Sequence, residues 1–173
     1  MNIKIQTEKP IHFDAICEIN NQAFGQPQEA KLIDGLRKLA DFIPELSLIA
    51  FDKDKAIGHI LFFSIYIETE GQTFQTLSLA PMAVSPDYQK KGVGGALIRR
   101  GLEQSKQLGF DSVLVLGHPN YYPKFGFEKA GKWNIKCPWD VPEEAWMGIE
   151  LKRGSLEGKS GLAGFPMEYD AAI

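Results

Sequence analysis

Residues 79–116 constrain the fold more than any other part of the chain. An extended run, LAPMAV (79–84), leads into the glycine-rich stretch SPDYQKKGVGG (85–95). An amphipathic helical pattern follows, and then the almost unbroken apolar run DSVLVL (111–116). Two parallel strands need a long crossover between them, and a helix supplies it. A run as apolar as DSVLVL suits a strand covered on both faces. Residues 77–116 therefore predict one βαβ crossover. Val93, Ala96, Leu97, Gly101, Leu102, Ser105 and Leu108 form the buried stripe of its helix, which stops at Gly109. Arg99, Arg100, Glu103 and Lys106 face water. Pro81 cannot donate to a ladder, so it marks an edge, a bulge or a place where strands part.

The rest of the chain supplies strands and helices around that crossover. Asn2–Thr7 alternates as a short strand. Ile11–Phe24 puts Ile11, Ala15, Ile16, Ile19 and Ala23 on one helical face, and Glu29–Leu39 turns Leu32, Leu36 and Leu39 inward. Strands are predicted over Leu46–Asp52, Ile57 to about Glu68, and Phe74–Val84, with turns at DKDKA and at Glu70–Gly71. HPNYYPKFGF allows one short helical turn. Phe127–Ile135 and Ala145–Leu151 are expected to close the sheet as a pair of strands. The glycine-rich tail after Lys152 reads as a hairpin or an ordered loop. The expected fold is α/β of the α+β type: a mixed central sheet of about seven strands with helices on both faces.

At 173 residues, 44% hydrophobic and 24% charged, the chain is expected to form a single domain over 1–173 with a complete core. A net charge of −3 gives no dominant basic face, which argues against a nucleic-acid partner. No run approaches a membrane span and no signal-peptide core precedes Pro10, so no membrane partner and a cytoplasmic location are expected. Cys17 and Cys137 form no CxxC pair. His12 and His59 stand alone, and no metal site is expected.

The glycine stretch has a chemical reading. A strand that turns through glycines into a helix exposes the first unpaired N–H groups of that helix, and these amides with the helix dipole form an anion site. Gly92, Gly94 and Gly95 remove side chains that would hold a diphosphate away from the backbone, and Lys90 and Lys91 add positive charge. GxxxxGK[ST] does not occur, so this is no P-loop. GVGGAL lacks the third glycine of GxGxxG, and no acidic residue ends a second strand about 20 positions later.

QKKGVG at 89–94 resembles the Q/R-x-x-G-x-G/A motif of the GNAT N-acetyltransferases. LAPMAV, the helix, DSVLVL and YYPKFGF (121–127) follow in that family's order and spacing, and residues 74–130 are the most specific part. PEEAWMGIEL is similar to a bacterial subgroup whose substrates are mostly unassigned. The resemblance implies a GNAT-like sheet with strands splayed near 79–84 and 111–117, and acetyl-CoA as co-substrate. It implies that the backbone of Met82, Ala83 and Val84 pairs with the pantetheine arm. The amides of Gln89, Lys90, Lys91, Gly92, Val93, Gly94 and Gly95 would then hold the pyrophosphate. Lys90 and Lys91 are candidates for the outer phosphates, and Asn120 for the pantetheine.

Transfer of an acetyl group to an amine requires a deprotonated amine, a stabilised carbonyl oxygen and a protonated leaving thiol. By the resemblance, the acid is a tyrosine four residues before the glycine of a GF pair. Here that pair is Gly126–Phe127 and the tyrosine is Tyr122. A phenol suits the role because its ordinary pKa of about 10 lies above the thiol's value of about 8.5. The strand TLSLAPMAV carries no carboxylate, so the base stays open among His118, the distant Glu68 and Glu70, and a water relay. The helices around Asn20–Gln28, the strand near Phe62–Ile67 and the segment Trp133–Trp146 are expected to form the acceptor pocket. Phe24, Phe63, Trp139 and Trp146 are its candidate lining. The expected partner is a small-molecule or peptide amine, with homodimerisation left open. Two other readings stand beside this one: an acyl-CoA sensor without turnover, and an interaction domain whose glycine loop is only a turn.

Overall fold

The computed structural model describes residues 1–173, and the chain divides into two compact units. The first comprises Met1–Phe63, Ala80–Gln104 and Met167–Ile173. It contains β1 (Ile3–Thr7), α1 (Phe13–Phe24), α2 (Gln28–Arg37), β2 (Ser47–Asp52), the start of β3 (Lys55–Thr69), the end of β4 (Gln72–Val84) and most of α3 (Val93–Gln107). β1 and β3 flank β2 as antiparallel neighbours, with Ile5 opposite Ala50 and Ile49 opposite His59. Ile16 and Ile19 of α1, Leu36 of α2, and Leu97 and Ile98 of α3 are buried in this unit's core. A Cβ at Gly101 would overlap the Phe62 ring, so that glycine lets α3 lie directly on β3. Ile98 belongs to the buried stripe although the sequence pattern left it out.

A polar cluster is enclosed in the same unit. The Glu8 carboxylate accepts from Arg37 Nε at 2.8 Å and Nη2 at 3.1 Å. It also accepts from the Ser47 hydroxyl and lies 3.2 Å from His59 Nε2. Ser47 Oγ is 2.8 Å from the same His59 nitrogen. Burial alone would raise the Glu8 pKa, but the hydrogen bonds from His59, Arg37 and Ser47 together outweigh it and hold the carboxyl at about 2. Burial pushes His59 down, toward the neutral ring. Nε2 faces a carboxylate that can only accept, so the neutral ring carries its proton there. Nδ1 is left buried without a partner.

The second unit comprises Ser64–Leu79 and Ser105–Pro166. It adds β5 (Ser112–Leu116), β6 (Glu128–Lys129), β7 (Ile135–Lys136), β8 (Trp146–Glu150) and β9 (Gly161–Gly164). β5 is parallel to β4 over only two positions, Leu77 opposite Val113 and Ser78 opposite Leu114. Beside them the Thr76 and Ser112 hydroxyls share a buried 2.6 Å hydrogen bond. β8 pairs antiparallel with the whole of β5.

Because β3 and β4 run through both units, the hydrogen-bonded order is continuous: β1-β2-β3-β4-β5-β8-β6. β9 pairs antiparallel with Tyr66–Glu68 of β3 and parallel with β7. The open mixed sheet flanked by helices is the expected class, but it has nine strands rather than about seven. The tail contributes a strand in place of a separate hairpin. Phe127–Ile135 is not one strand either, because the 3-10 turn Ala130–Trp133 separates β6 from β7. Ile11 and Leu108 fall outside their helices and are 84% and 42% exposed, which overturns their inward placement.

Candidate functional site

The glycine stretch forms a turn with two left-handed residues, Lys90 at φ 61° and Gly92 at φ 88°. The chain leaves β4 at Val84, whose carbonyl accepts from the Gln89 side-chain amide at 3.0 Å. A 3-10 turn over Pro86–Tyr88 follows. The backbone N–H of Ala96 donates to the Gly92 carbonyl at 3.1 Å, so the N–H groups of Val93, Gly94 and Gly95 precede the first internal bond of α3. A side chain built on Gly92 would meet nothing within 4 Å, so the space beside the turn at this position is open. This geometry is what an anion at a helix N-terminus requires. Lys90, Lys91 and Gly92 are exposed, whereas Val93 and Gly95 are buried under the turn.

Two neighbours of the turn carry no signal in the sequence. Lys55 Nζ lies 5.3 Å and Lys91 Nζ 5.5 Å from the centroid of the Tyr88 ring, so a cation from β3 joins those of the turn. Gly58 is the second. A Cβ there would lie 3.0 Å from Leu97, 3.1 Å from Val93 and 3.3 Å from the Ala83 carbonyl. Its bare backbone therefore lets the start of α3 close onto β3, beside the end of β4. Ala83 is buried, and Met82 and Val84 are partly exposed. Ser85 N–H pairs with the Ile57 carbonyl of β3 at 2.8 Å, while the register with β5 has already ended at Ser78.

In the second unit, the carbonyl of His118 accepts from the backbone of Tyr121 at 3.1 Å and Tyr122 at 3.4 Å, starting the 3-10 turn Tyr122–Phe125. Tyr122 is buried, edge-on to Tyr121 at 5.3 Å and to Phe127 at 5.5 Å. Gly117 makes room for it, since a Cβ there would overlap the phenol ring. A glycine directly after a buried strand was the available signal for that contact. Burial first, and the neighbouring Tyr121 second, push the Tyr122 phenol well above its ordinary range. It therefore holds its proton across the physiological range. His118 and Asn120 are exposed.

Of the aromatic residues expected to line a pocket, two belong to the core. Phe63 and Trp146 are buried, and Trp146 Nε1 donates to the Ile135 carbonyl at 2.9 Å. Trp139 packs on Phe165 at 4.6 Å, and Phe24 is 41% exposed. An open cavity of about 900 Å³ in the second unit is lined instead by Glu68, Glu70 and Gln72 of the β3–β4 hairpin with Asn134, Lys136 and Ser160. The two glutamates set aside as distant thus face a cavity, although both are exposed. Cys17 and Cys137 are free thiols, and burial pushes the Cys137 thiol up.

Comparison with known proteins decides the family. Residues 4–130 match the family described as Acetyltransferase (GNAT) domain. The chain belongs to the GNAT family. It is 43% identical to the uncharacterized N-acetyltransferase YjhQ of Escherichia coli K12 over 136 residues, 76% of this chain and 75% of that one. It is 32% identical to the uncharacterized N-acetyltransferase YhbS of the same organism, over 96% of this chain and 98% of the relative. A crystal structure of the E. coli GNAT family N-acetyltransferase YhbS in complex with CoA superposes with a TM-score of 0.90 at 29% identity, covering 98% and 93% of the two chains. A GNAT family acetyltransferase from Brucella melitensis in complex with acetyl-CoA gives 0.79 at 25% identity, covering 98% and 99%. The GNAT chain described here is accordingly an N-acetyltransferase, as the motif order implied. No helix in it is long and apolar enough to cross a membrane.

Proposed function

We propose that this GNAT protein moves the acetyl group of acetyl-CoA directly onto a primary amine of a small molecule or peptide. The observation that carries the reading is the left-handed turn at Lys90 and Gly92, which borders open space and leads into the unpaired amides of α3. That cradle fits a diphosphate. The end of β4 beyond Ser78 has no register with β5, which fits a pantetheine arm alongside Met82, Ala83 and Val84. When bound, acetyl-CoA supplies the acyl group as an activated thioester.

The chain's own groups do the remaining work. Amides from Gln89 to Gly95 hold the pyrophosphate. Lys90, Lys91 and Lys55 supply screened positive charge near the outer phosphates. A backbone N–H in Met82–Val84 donates to the carbonyl oxygen as negative charge develops there. Asn120 reaches the pantetheine. The Tyr122 hydroxyl, which keeps its proton at neutral pH, donates it to the sulfur as the carbon–sulfur bond breaks, and the phenolate regains a proton from solvent. The amine's own proton leaves through His118, through Glu68 or Glu70, or through water.

The whole of 1–173 serves as one N-acetyltransferase domain in this reading, since β3 and β4 each contribute to both units. The protein acts in the cytoplasm, where acetyl-CoA is made and free thiols such as Cys17 and Cys137 persist. Release of free CoA thiol from acetyl-CoA over a panel of primary amines tests the proposal. Amine-dependent release is expected. Tight acetyl-CoA binding without release on any amine would replace it with the sensor reading.

A further inference from the structure

The last residues of the chain, outside the span that matches the family, reach the cofactor strand. Met167–Ala172 forms a 3-10 segment within the first unit. Its Tyr169 is 1% exposed, with the ring edge-on to Phe63 of β3 at 6.4 Å. The Tyr169 hydroxyl donates to the Ala80 carbonyl at 3.3 Å. Next to it, the Glu168 side chain fills the space left by Gly35 of α2, with its Cγ 3.2 Å from where a Cβ would stand. The segment is therefore anchored on α2 and on β3, and its tyrosine touches the backbone of β4.

The point of contact matters. The peptide joining Ala80 to Pro81 is planar and rigid. The pyrrolidine ring then fixes φ of Pro81. Only one soft torsion, ψ of Pro81, separates the Ala80 carbonyl from the N–H of Met82. A donor that fixes the direction of that carbonyl therefore leaves the Met82 amide a single torsion of freedom. We propose that Tyr169 is a positioning residue, which aligns the Met82–Val84 backbone for the pantetheine arm through its hydrogen bond to Ala80. The inference rests on the acetyl-CoA reading above, because it assigns a purpose to the same strand. The turn at Gln89–Gly95 has anchors outside that segment: Ser85 N–H on the Ile57 carbonyl and Tyr88 N–H on the Ser85 carbonyl, each at 2.8 Å, and Ala96 N–H on the Gly92 carbonyl at 3.1 Å.

Separate ligands for the two halves of the site provide the test. Tyr169→Phe removes one oxygen and leaves the ring against Phe63. Calorimetry compares wild type and variant with CoA, which carries the pantetheine arm, and with adenosine 3′,5′-bisphosphate, which does not. A melt of each free protein accompanies the titrations. The expected result is CoA binding weakened by roughly three- to tenfold, unchanged affinity for the bisphosphate, and a melting temperature lowered by roughly 2–12 °C. Unchanged CoA affinity would overturn the proposal. Equal weakening of both ligands would also overturn it, by showing general loosening of the unit. Wild-type protein that binds neither ligand would remove the acetyl-CoA reading itself, and the assignment of Tyr169 with it.

Discussion

Replacing Glu8 with Gln tests the account of the buried polar cluster, because the size and the pH dependence of the effect both follow from its geometry. The Glu8 side chain is 3% exposed and that of Arg37 10%, so water screens this pair little. Glu8→Gln keeps the shape but leaves the guanidinium with only Asp34, a largely exposed carboxylate 2.7 Å from Nη1. Breaking a buried pair from one side costs about 3–5 kcal/mol, which in a chain of this length lowers the melting temperature by roughly 6–20 °C. The pH dependence has a definite sign. The folded carboxyl titrates at about 2 and the ordinary value is 4.5, so the unfolded chain binds the proton first as pH falls. The stability is thus complete above pH 4.5 and is lost toward pH 2. The shift corresponds to about 3 kcal/mol in all, of which about 2 kcal/mol is gone by pH 3. His59, also depressed, works in the same direction from its ordinary 6.5 downward, as the unfolded ring gains a proton that the folded ring refuses. Urea unfolding of both proteins at pH 7 and pH 3 reads the Glu8 contribution, less what His59 takes back once it has lost its carboxylate partner in the variant. The gap between wild type and variant should therefore shrink at pH 3, by at most about 2 kcal/mol. A gap of the same size at both pH values would refute the reasoning.

Other outcomes follow from the site. Gly92→Val should abolish CoA binding, because its side chain would occupy the open space beside the turn and its φ of 88° suits only glycine well; calorimetry showing wild-type affinity would return the turn to a plain loop. Acetyl-CoA at a hundredfold excess over Kd should stabilise the fold by about 2.7 kcal/mol in a thermal melt, and an equal shift with ATP would indicate a generic phosphate site. Tyr122→Phe should leave CoA affinity intact and slow single-turnover transfer by about 10²–10⁴-fold, with equal rates meaning that the tyrosine only packs. Since burial raises the Tyr122 pKa, the wild-type rate should show no loss attributable to its ionisation up to pH 10. Gly117→Ala should slow transfer as well, by displacing the Tyr122 ring, while a rate equal to wild type would show that the ring tolerates the shift.

What the sequence disclosed was local. The crossover from β4 through α3 to β5 is legible because each part repeats over neighbouring residues: period-3.6 apolar spacing, a glycine cluster and a continuous apolar run. The errors lie where a boundary or a partner is set from afar. Ile11 fits the helical stripe of α1, but Pro10 opens a 3-10 turn that delays the helix to Phe13. Leu108 continues the pattern of α3 beyond its last residue, Gln107. Nothing in GLAG resembles a strand. It becomes β9 because Gly161 can approach the Glu68 carbonyl of β3 closer than any residue with a Cβ.

The same distinction explains why the site was only half visible. Its proposed anion-binding groups are backbone amides, so the sequence can show them only through the glycines that leave them bare, and those glycines are adjacent. Residues that fix the backbone from outside leave no such trace. Glu8 meets Arg37 across 29 positions and His59 across 51, and Tyr169 meets Ala80 across 89. Each is an ordinary polar or aromatic residue in its own neighbourhood, and only the closed fold gives its hydrogen bond a target. Burial then makes the contact consequential, because a donor or acceptor stripped of water and denied its partner is costly. A residue that looks idle in the sequence can therefore hold the strand or the sheet on which the recognisable motif depends.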